Sequence, residues 1–109
     1  MIVCHLADCE IAFGFRIRQT LAEPNPTLQP FDQDAWAKPY SSNLFSSQVA
    51  LDSFSSARRW NIALLDSIGP EELKRPVTHP ERGAMTLQTI VETMAGHDLN
   101  HIGQLEKLV

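Results

Sequence analysis

Two histidines, His97 and His101, lie four residues apart near the end of the sequence, in the stretch HDLNH. They share a seam in which apolar residues recur at intervals of three and four: Leu87, Ile90, Met94, Leu105 and Leu108. Side chains four apart on a helix lie one turn apart on the same face, so both imidazole rings can reach one ion. The spacing indicates a metal site, with two core histidines bonded to carbonyl groups as the alternative. Because Asp98 stands where the HExxH motif has glutamate, the pattern does not predict a zinc protease.

A third imidazole, His5, lies near the start of the chain on a predicted helix. On a helical wheel, a mostly polar group within about 60° of His5 separates two apolar flanks. Its members are Asp8, Cys9, Ala12 and Arg16. Asn61, with Arg58 close to it, interrupts the apolar register of the next helix, so polar residues enter the predicted core from three helices. Buried imidazoles are costly unless an acceptor or a cation satisfies them, which strengthens the metal hypothesis.

Three long helices are predicted to carry these residues. The first spans about residues 1–22. The second begins near Ser46 or Ser47, either of which can cap it, and ends at Gly69 before a proline. The third follows Thr86, a predicted N-cap, and continues to the end of the chain.

A connection of about 24 residues with four prolines, 23–46, separates the first two helices. This length is typical of a lid or binding loop, and we expect its aromatic residues, Phe31, Trp36 and Tyr40, to fold back onto the helices. The sequence shows no strand pattern, repeat or low-complexity tract. We therefore predict an all-α fold, an up-and-down helical bundle that forms one domain over residues 1–109.

The composition is that of a small soluble protein, with 109 residues, 43% apolar residues and a formal net charge of -4. The acidic balance and scattered basic residues argue against nucleic acid as a partner. No run approaches the roughly 20 apolar residues that span a bilayer, and the N-terminus lacks the basic segment of a signal peptide, so we expect a cytoplasmic protein with no membrane partner. Cys4 and Cys9 point about 140° apart on one helix, which excludes a mutual disulfide and fits a reducing compartment.

Two blocks, HLADCEIAFGFRIRQTLAEPNPTLQPFDQDAWA and THPERGAMTLQTIVETMAGHDLNHIGQLE, resemble the DinB/YfiT-like superfamily. Its members are four-helix bundles that hold a divalent ion with one histidine from the second helix and two from an HxxxH motif on the fourth. The resemblance implies this type of bundle, here with three long helices, in which His5, His97 and His101 bind nickel, zinc or a similar ion. Some members use bacillithiol, mycothiol or glutathione, which implies a low-molecular-weight thiol or an electrophile as a small-molecule partner.

The sequence departs from the family pattern in two ways. The family's first helix has no counterpart, because Met1 precedes His5 by only four residues. The apolar flanks left uncovered, which include Leu6, Phe13, Ile17 and Val91, predict a homodimer, unless the natural product begins upstream. Cys9, four residues after His5, stands where the family pattern predicts a small hydroxyl residue. It either supplies a fourth ligand, typical of a closed structural zinc site, or leaves an open position for chemistry.

Two functions are consistent with these residues. The first is a metal-dependent transferase or hydrolase that activates a thiol or a water, and the second is a non-catalytic protein in which the ion only ties the helices together. No glutamate lies beside the predicted ligands as a general base, so no catalytic residue is assigned.

Other polar and aromatic residues are candidates for the surroundings of the ion. Asp8 either orients a ligand histidine or lies in the helix's first turns without a role. The candidate pocket residues, each with a solvated or packing role as its alternative, are Arg16, Arg58, Asn61 and Trp36. Asp32 is expected at the pocket mouth, His79 in a loop and Trp60 in the core or at its rim.

Overall fold

Three long helices make up most of the chain in the computed structural model, which describes residues 2–42 and 44–107 and the side chains as far as residue 98. In chain order, the helices are α1 (Ile2–Ala22), α2 (Gln33–Ala37), a 3-10 helix (Lys38–Ser41), α3 (Ser47–Asp66), α4 (Pro70–Leu73) and α5 (Leu87–Lys107). Two short strands, β1 (Pro76–His79) and β2 (Gly83–Thr86), lie between α4 and α5. The predicted helical bundle with three long helices is confirmed. No described helix is long and apolar enough to cross a membrane.

The capping residues set the helix boundaries close to their predicted positions. The Ser46 hydroxyl accepts from the Val49 amide at 3.3 Å and starts α3. That helix ends at Asp66, three residues before the predicted stop, because Ser67 and Ile68 form a tighter turn with bonds to the Leu64 and Leu65 carbonyls. Helix α5 begins directly after Thr86, as predicted.

The absence of strands was predicted wrongly, because residues 76–86 form an antiparallel hairpin. Pro76 pairs with Thr86 and His79 with Gly83. Each strand has only four residues, too few for a period of two to stand out, and β1 begins with a proline. Part of its support comes from residues far away in sequence, since the Thr78 amide donates to the Pro26 carbonyl at 2.8 Å.

The connection 23–46 folds back onto the helices, as predicted. The Asp32 carboxylate accepts from the Ala35 amide and starts α2. Phe31 and Trp36 pack edge to face with their ring centroids 4.5 Å apart. The Tyr40 hydroxyl donates to Asp8 on α1 at 2.9 Å, so the far end of the connection is fastened beside the start of the first helix.

Helices α1 and α3 run in the same direction. Cys4 shares one surface groove with Val49, and Leu21 shares another with Ser67, so both helices begin at one end of the bundle and finish at the other. The connection 23–46 is therefore a crossover that returns the chain to its starting end. Helix α5 runs the opposite way. His97, halfway along α5, contacts His5 at the start of α1. At its beginning, the Leu87 amide donates to the Arg75 carbonyl, and the Arg75 side chain donates to the carbonyl of Thr20 near the end of α1.

The core lies between α1, α5, the hairpin and the crossover. Its buried members are Cys9, Phe13, Ile17, Leu28, Val77, Leu87, Ile90 and Met94. The expectation that Trp60 lies in the core or at its rim was wrong, because this α3 residue is 70% exposed, and Leu51 on the same helix is exposed as well. Helix α3 packs chiefly against α1, and its covered stripe includes Phe54, Arg58, Asn61, Leu64 and Leu65.

Candidate metal centre

Three side chains from the two ends of the sequence bring ligand atoms together where α1 crosses α5. His5 and Cys9 lie one turn apart on α1, and His97 lies opposite them on α5. The Nε2 atoms of His5 and His97 are 3.3 Å apart. The Cys9 Sγ is 3.5 Å from the first of these atoms and 3.6 Å from the second. The three atoms therefore form a nearly equilateral triangle.

The sides of this triangle fit the coordination sphere of a divalent cation. A tetrahedral zinc ion with normal bond lengths separates two nitrogen ligands by roughly 3.3 Å, and a nitrogen from a sulfur ligand by roughly 3.6 Å. The distances between the His5, Cys9 and His97 atoms match both values. Hydrogen bonds also account for contacts of this length, because a neutral imidazole can donate its ring N–H to the Cys9 sulfur or to the other ring nitrogen.

The surroundings of Cys9 favour a cation over an anion. The residue is 2% exposed, and its pKa rises from 9.0 to about 12, first because burial disfavours the thiolate and then because Asp8, Asp98 and Glu10 place negative charge nearby. Without a cation the thiol therefore stays protonated at neutral pH. A divalent ion would reverse the balance, since metal ligation takes the thiolate form.

His101 lies one turn after His97 on α5, which continues to Lys107. Its side chain lies outside the described residues, so its predicted role as a ligand stays a prediction. The backbone places it on the same helical face as His97. The structure thus brings together His5, His97 and Cys9.

A buried ion-pair network lies directly behind the ligands. Glu10 follows Cys9, and Asp98 follows His97; the same Arg58 nitrogen, Nη2, donates to Glu10 at 2.8 Å and to Asp98. Asn61 Nδ2 donates to the other Glu10 oxygen at 2.8 Å. The hydrogen bond to Glu10 is the main cause that raises the pKa of Arg58, with Asp98 acting in the same direction against the effect of burial. One arginine from α3 therefore joins the two helices that carry the ligands.

Glu10 is the functional residue that the sequence reasoning missed. Its side chain is 2% exposed, among apolar neighbours. A glutamate inside the apolar stretch CEIAFGF was the available signal, because a charged residue there needs a partner. Arg58 and Asn61, expected near a pocket, bind this carboxylate instead of lining the cavity described below.

Asp8 contacts the crossover in this structure. Its carboxylate accepts from the Tyr40 hydroxyl, and this hydrogen bond, more than burial, raises the pKa of Tyr40 to about 12. Asp8 still contributes negative charge at Cys9.

A cavity of about 580 Å³ opens beside His97. Helix α1 lines it with Phe13 and Arg16, the crossover with Leu28 and Asp32, and α5 with Ile90. Asp32 lies at this cavity as expected, whereas Trp36 is not among the lining residues and packs on Phe31.

His79 reaches the same cavity from the hairpin, although the sequence placed it in a loop. Its Nδ1 accepts from the amides of Glu81 and Arg82, both at 3.1 Å, and thereby holds the turn between β1 and β2. It is separate from the group formed by His5, Cys9 and His97.

Comparison with known proteins agrees with the fold and with a metal centre. The model of the DinB superfamily matches residues 2–105. A protein of Oceanobacillus iheyensis named "Putative metal-dependent hydrolase" is 26% identical over 107 residues, which cover 98% of this chain and 62% of the relative. A protein of Bacillus mycoides with the same description is 31% identical over 109 residues, 98% of this chain and 61% of the relative.

The solved structure of YfiT from Bacillus subtilis is similar in fold. It matches with a TM-score of 0.89 and 26% identity over 98% of this chain and 62% of YfiT. Its title describes YfiT as "a probable metal-dependent hydrolase with an unusual four-helix bundle topology". The chain spans about three fifths of the length of these relatives. Because the family model covers nearly all of its residues, the chain belongs to the DinB superfamily.

Proposed function

We propose that the protein is a metal-dependent hydrolase whose divalent cation is bound by three side chains, His5, His97 and either Cys9 or His101, so that one coordination position stays open for a water. The observation that carries this proposal is the triangle of ligand atoms, with sides of 3.3, 3.5 and 3.6 Å. The relatives described as metal-dependent hydrolases support the reaction class. Nitrogen and sulfur ligands together favour zinc, with nickel as the alternative.

The chain's own residues would position the cation and the substrate separately. His5 and Cys9 share one face of α1, so a single rigid helix fixes two ligands. The Arg58 bridge between Glu10 and Asp98 fixes α5 against α1, which sets the distance to His97. The cavity beside His97 then offers the substrate a site of the size usual for small molecules.

A divalent cation with an open position polarises a substrate oxygen and lowers the pKa of a bound water or thiol toward neutrality. Hydrolysis uses the water. Transfer to a low-molecular-weight thiol such as bacillithiol, mycothiol or glutathione uses the same site with a thiol in its place, and we retain it as a variant of the proposal.

A structural metal site is the second candidate, and the position of Cys9 favours it. Three histidines and one cysteine complete a tetrahedral shell with no open position, which is typical of structural zinc. The Cys9 Sγ lies 3.5 Å from His5 Nε2 and 3.6 Å from His97 Nε2, separations expected between ligand atoms of one ion. The two functions therefore differ in whether all four side chains bind at once.

Turnover with and without the metal tests the hydrolase proposal. Zinc- and nickel-loaded protein should hydrolyse at least one member of a panel of esters, amides and thioesters, and chelation or His97→Ala should abolish the activity. A matched panel with added thiols tests the transfer variant. Protein that binds metal in stoichiometric amount but turns over nothing in either panel would contradict both reactions and support the structural role.

A further inference from the structure

Arg16 is a partly buried cation without a carboxylate partner among the described side chains. Its Nη2 donates to the Gln29 carbonyl at 2.9 Å, a neutral acceptor. Burial lowers the pKa of Arg16, with no neighbouring charge acting against it. Two other partly buried arginines are compensated by carboxylates, Arg58 by two of them and Arg75 by Glu72. Arg18 also lacks a carboxylate, but it donates to two neutral acceptors, the Gly14 carbonyl and the Asn61 side chain, and does not line this cavity. A half-buried guanidinium with donors to spare is suited to an anion from outside the chain.

Arg16 and His97 line the same cavity. Arg16 lies seven residues after Cys9 on α1, which places the two backbone positions about 10 Å apart along the helix axis. The cavity lining includes three apolar side chains, Phe13, Leu28 and Ile90, and a second, exposed arginine, Arg82. The cavity thus combines a histidine of the candidate metal centre, apolar surface and Arg16.

Two acidic residues in the cavity lining do not neutralise Arg16. Asp32 and Glu81 are both exposed, and Asp32 is engaged in capping α2. Neither forms an ion pair with Arg16 within the described part of the chain. Solvated carboxylates of this kind contribute little, because water screens their charge.

We propose that the cavity binds an elongated organic carboxylate whose carboxylate group is held by Arg16 and whose apolar body lies along Phe13, Leu28 and Ile90. This inference rests on the proposed function and extends it: the opposite end of the same molecule lies toward His97, where the reaction takes place. It names the substrate class as one with a terminal carboxylate separated by an apolar segment from the reacting group. The carboxylate group itself is bound and is not transformed.

The test compares octanoate with octanol, which have the same chain length and differ in charge. Titration calorimetry on the full chain, first as purified and then after chelation, measures both affinities. Octanoate should bind at least roughly tenfold more tightly than octanol, as expected for a charge-assisted contact. Arg16→Gln should abolish this preference, Arg16→Lys should retain part of it, and the exposed control Arg59→Gln should leave it unchanged.

Several results would overturn the inference. They are equal affinity for the two probes, no measurable binding of octanoate at millimolar concentration, a preference that disappears on chelation, or a preference that persists in Arg16→Gln. The third result would mean that the carboxylate binds the metal instead of Arg16. If Arg16→Gln does not fold, the preference for octanoate over octanol in native protein and in Arg16→Lys still tests the inference. The preference for octanoate is measured both with and without metal. The carboxylate proposal can therefore fail while metal binding is confirmed, and metal binding can fail while the carboxylate proposal is confirmed.

Discussion

The Nε2 atoms of His5 and His97 lie 3.3 Å apart, although 92 residues separate them in the chain. Their proximity follows from the opposite directions of α1 and α5, since the start of one helix meets the later part of the other. Cys9 adds a sulfur at 3.5 and 3.6 Å from these nitrogens. A cation can satisfy all three atoms at once, which is the physical basis of the proposed metal centre.

Cobalt substitution tests whether Cys9 is a ligand. If Cys9 binds, the cobalt-loaded protein should show a sulfur-to-metal charge-transfer band in the near ultraviolet. Cys9→Ser should lose this band, whereas Cys4→Ser, which changes the other buried thiol, should keep it. Native protein with a full complement of cobalt and no such band would refute the Cys9 assignment and leave an open position at the metal.

Removal of Arg58 should destabilise the protein. Arg58→Ala leaves the carboxylate of Glu10 buried without its cation, and breaking one side of a buried ion pair costs about 3 kcal/mol or more. The control Arg59→Ala, an exposed neighbour on α3, should change the free energy of unfolding by less than about 0.5 kcal/mol. Urea denaturation measures both. Equal stability of the two variants would show that the network contributes nothing.

The Glu10 network should also affect metal binding. Because Glu10 and Asp98 directly follow Cys9 and His97, loss of Arg58 should loosen the spacing of the ligands and weaken zinc affinity by roughly tenfold or more. Competition with a chelating dye gives the affinities of native protein, Arg58→Ala and Arg59→Ala. An unchanged affinity in folded Arg58→Ala would show that Arg58 does not position the ligands.

The metal-free protein should lose stability in alkali. The folded structure raises the pKa of the Cys9 thiol from 9.0 to about 12. The thiol's contribution to the free energy of unfolding is therefore fully present below pH 9 and is lost as the pH rises toward 12. Tyr40, whose pKa rises from 10.0 to about 12, acts in the same direction.

Urea unfolding of chelated protein at about pH 8 and about pH 10.5 measures this loss. Cys9→Ala and Tyr40→Phe should each lose less stability between these two conditions than native protein does. Losses identical to that of native protein in both variants would contradict the assignment of the pH dependence to these groups.

The expected homodimer stays a proposal, although part of its basis was wrong: Phe13 and Ile17, predicted to be uncovered, are buried in the core of this chain. Other apolar residues on α1 support it instead. Ile11 and Phe15 lie one turn apart on α1 and are 54% and 61% exposed, an unusual pair for a surface. We expect sedimentation equilibrium at micromolar concentration to give twice the mass of one chain, and Phe15→Glu to give the single mass. A native monomer that retains its metal would overturn this proposal.

Local patterns predicted part of the candidate metal centre, because a helix fixes which residues share a face. The spacing predicted a core seam through Ile90, Met94 and His97, of which the first two are buried and His97 is partly buried. The helical wheel placed Cys9 beside His5, and the structure confirms this. The sequence could not show that Glu10 is held by Arg58 and Asn61, since those partners lie 48 and 51 residues away and meet it only after the helices pack.

The cavity and the hairpin depend on the same kind of long-range packing. His79 lies at the cavity because two long-range contacts position strand β1. This strand pairs with β2, which is too short to be predicted from the sequence, and it also hydrogen-bonds to the crossover at Pro26. The shared direction of α1 and α3 likewise follows from the path of the crossover. No periodicity within 23–46 predicts that path.

The metal content of the purified protein tests the central claim most directly. Elemental analysis of protein prepared without chelators should give about one zinc or nickel ion per chain, and His97→Ala should hold much less than one. His79→Ala provides the matched control, because it removes a histidine that lines the cavity but lies outside the ligand group. A content near one in native protein and His79→Ala, together with a large loss in His97→Ala, is the predicted result; no bound metal in native protein, or equal metal in folded His97→Ala, would contradict it.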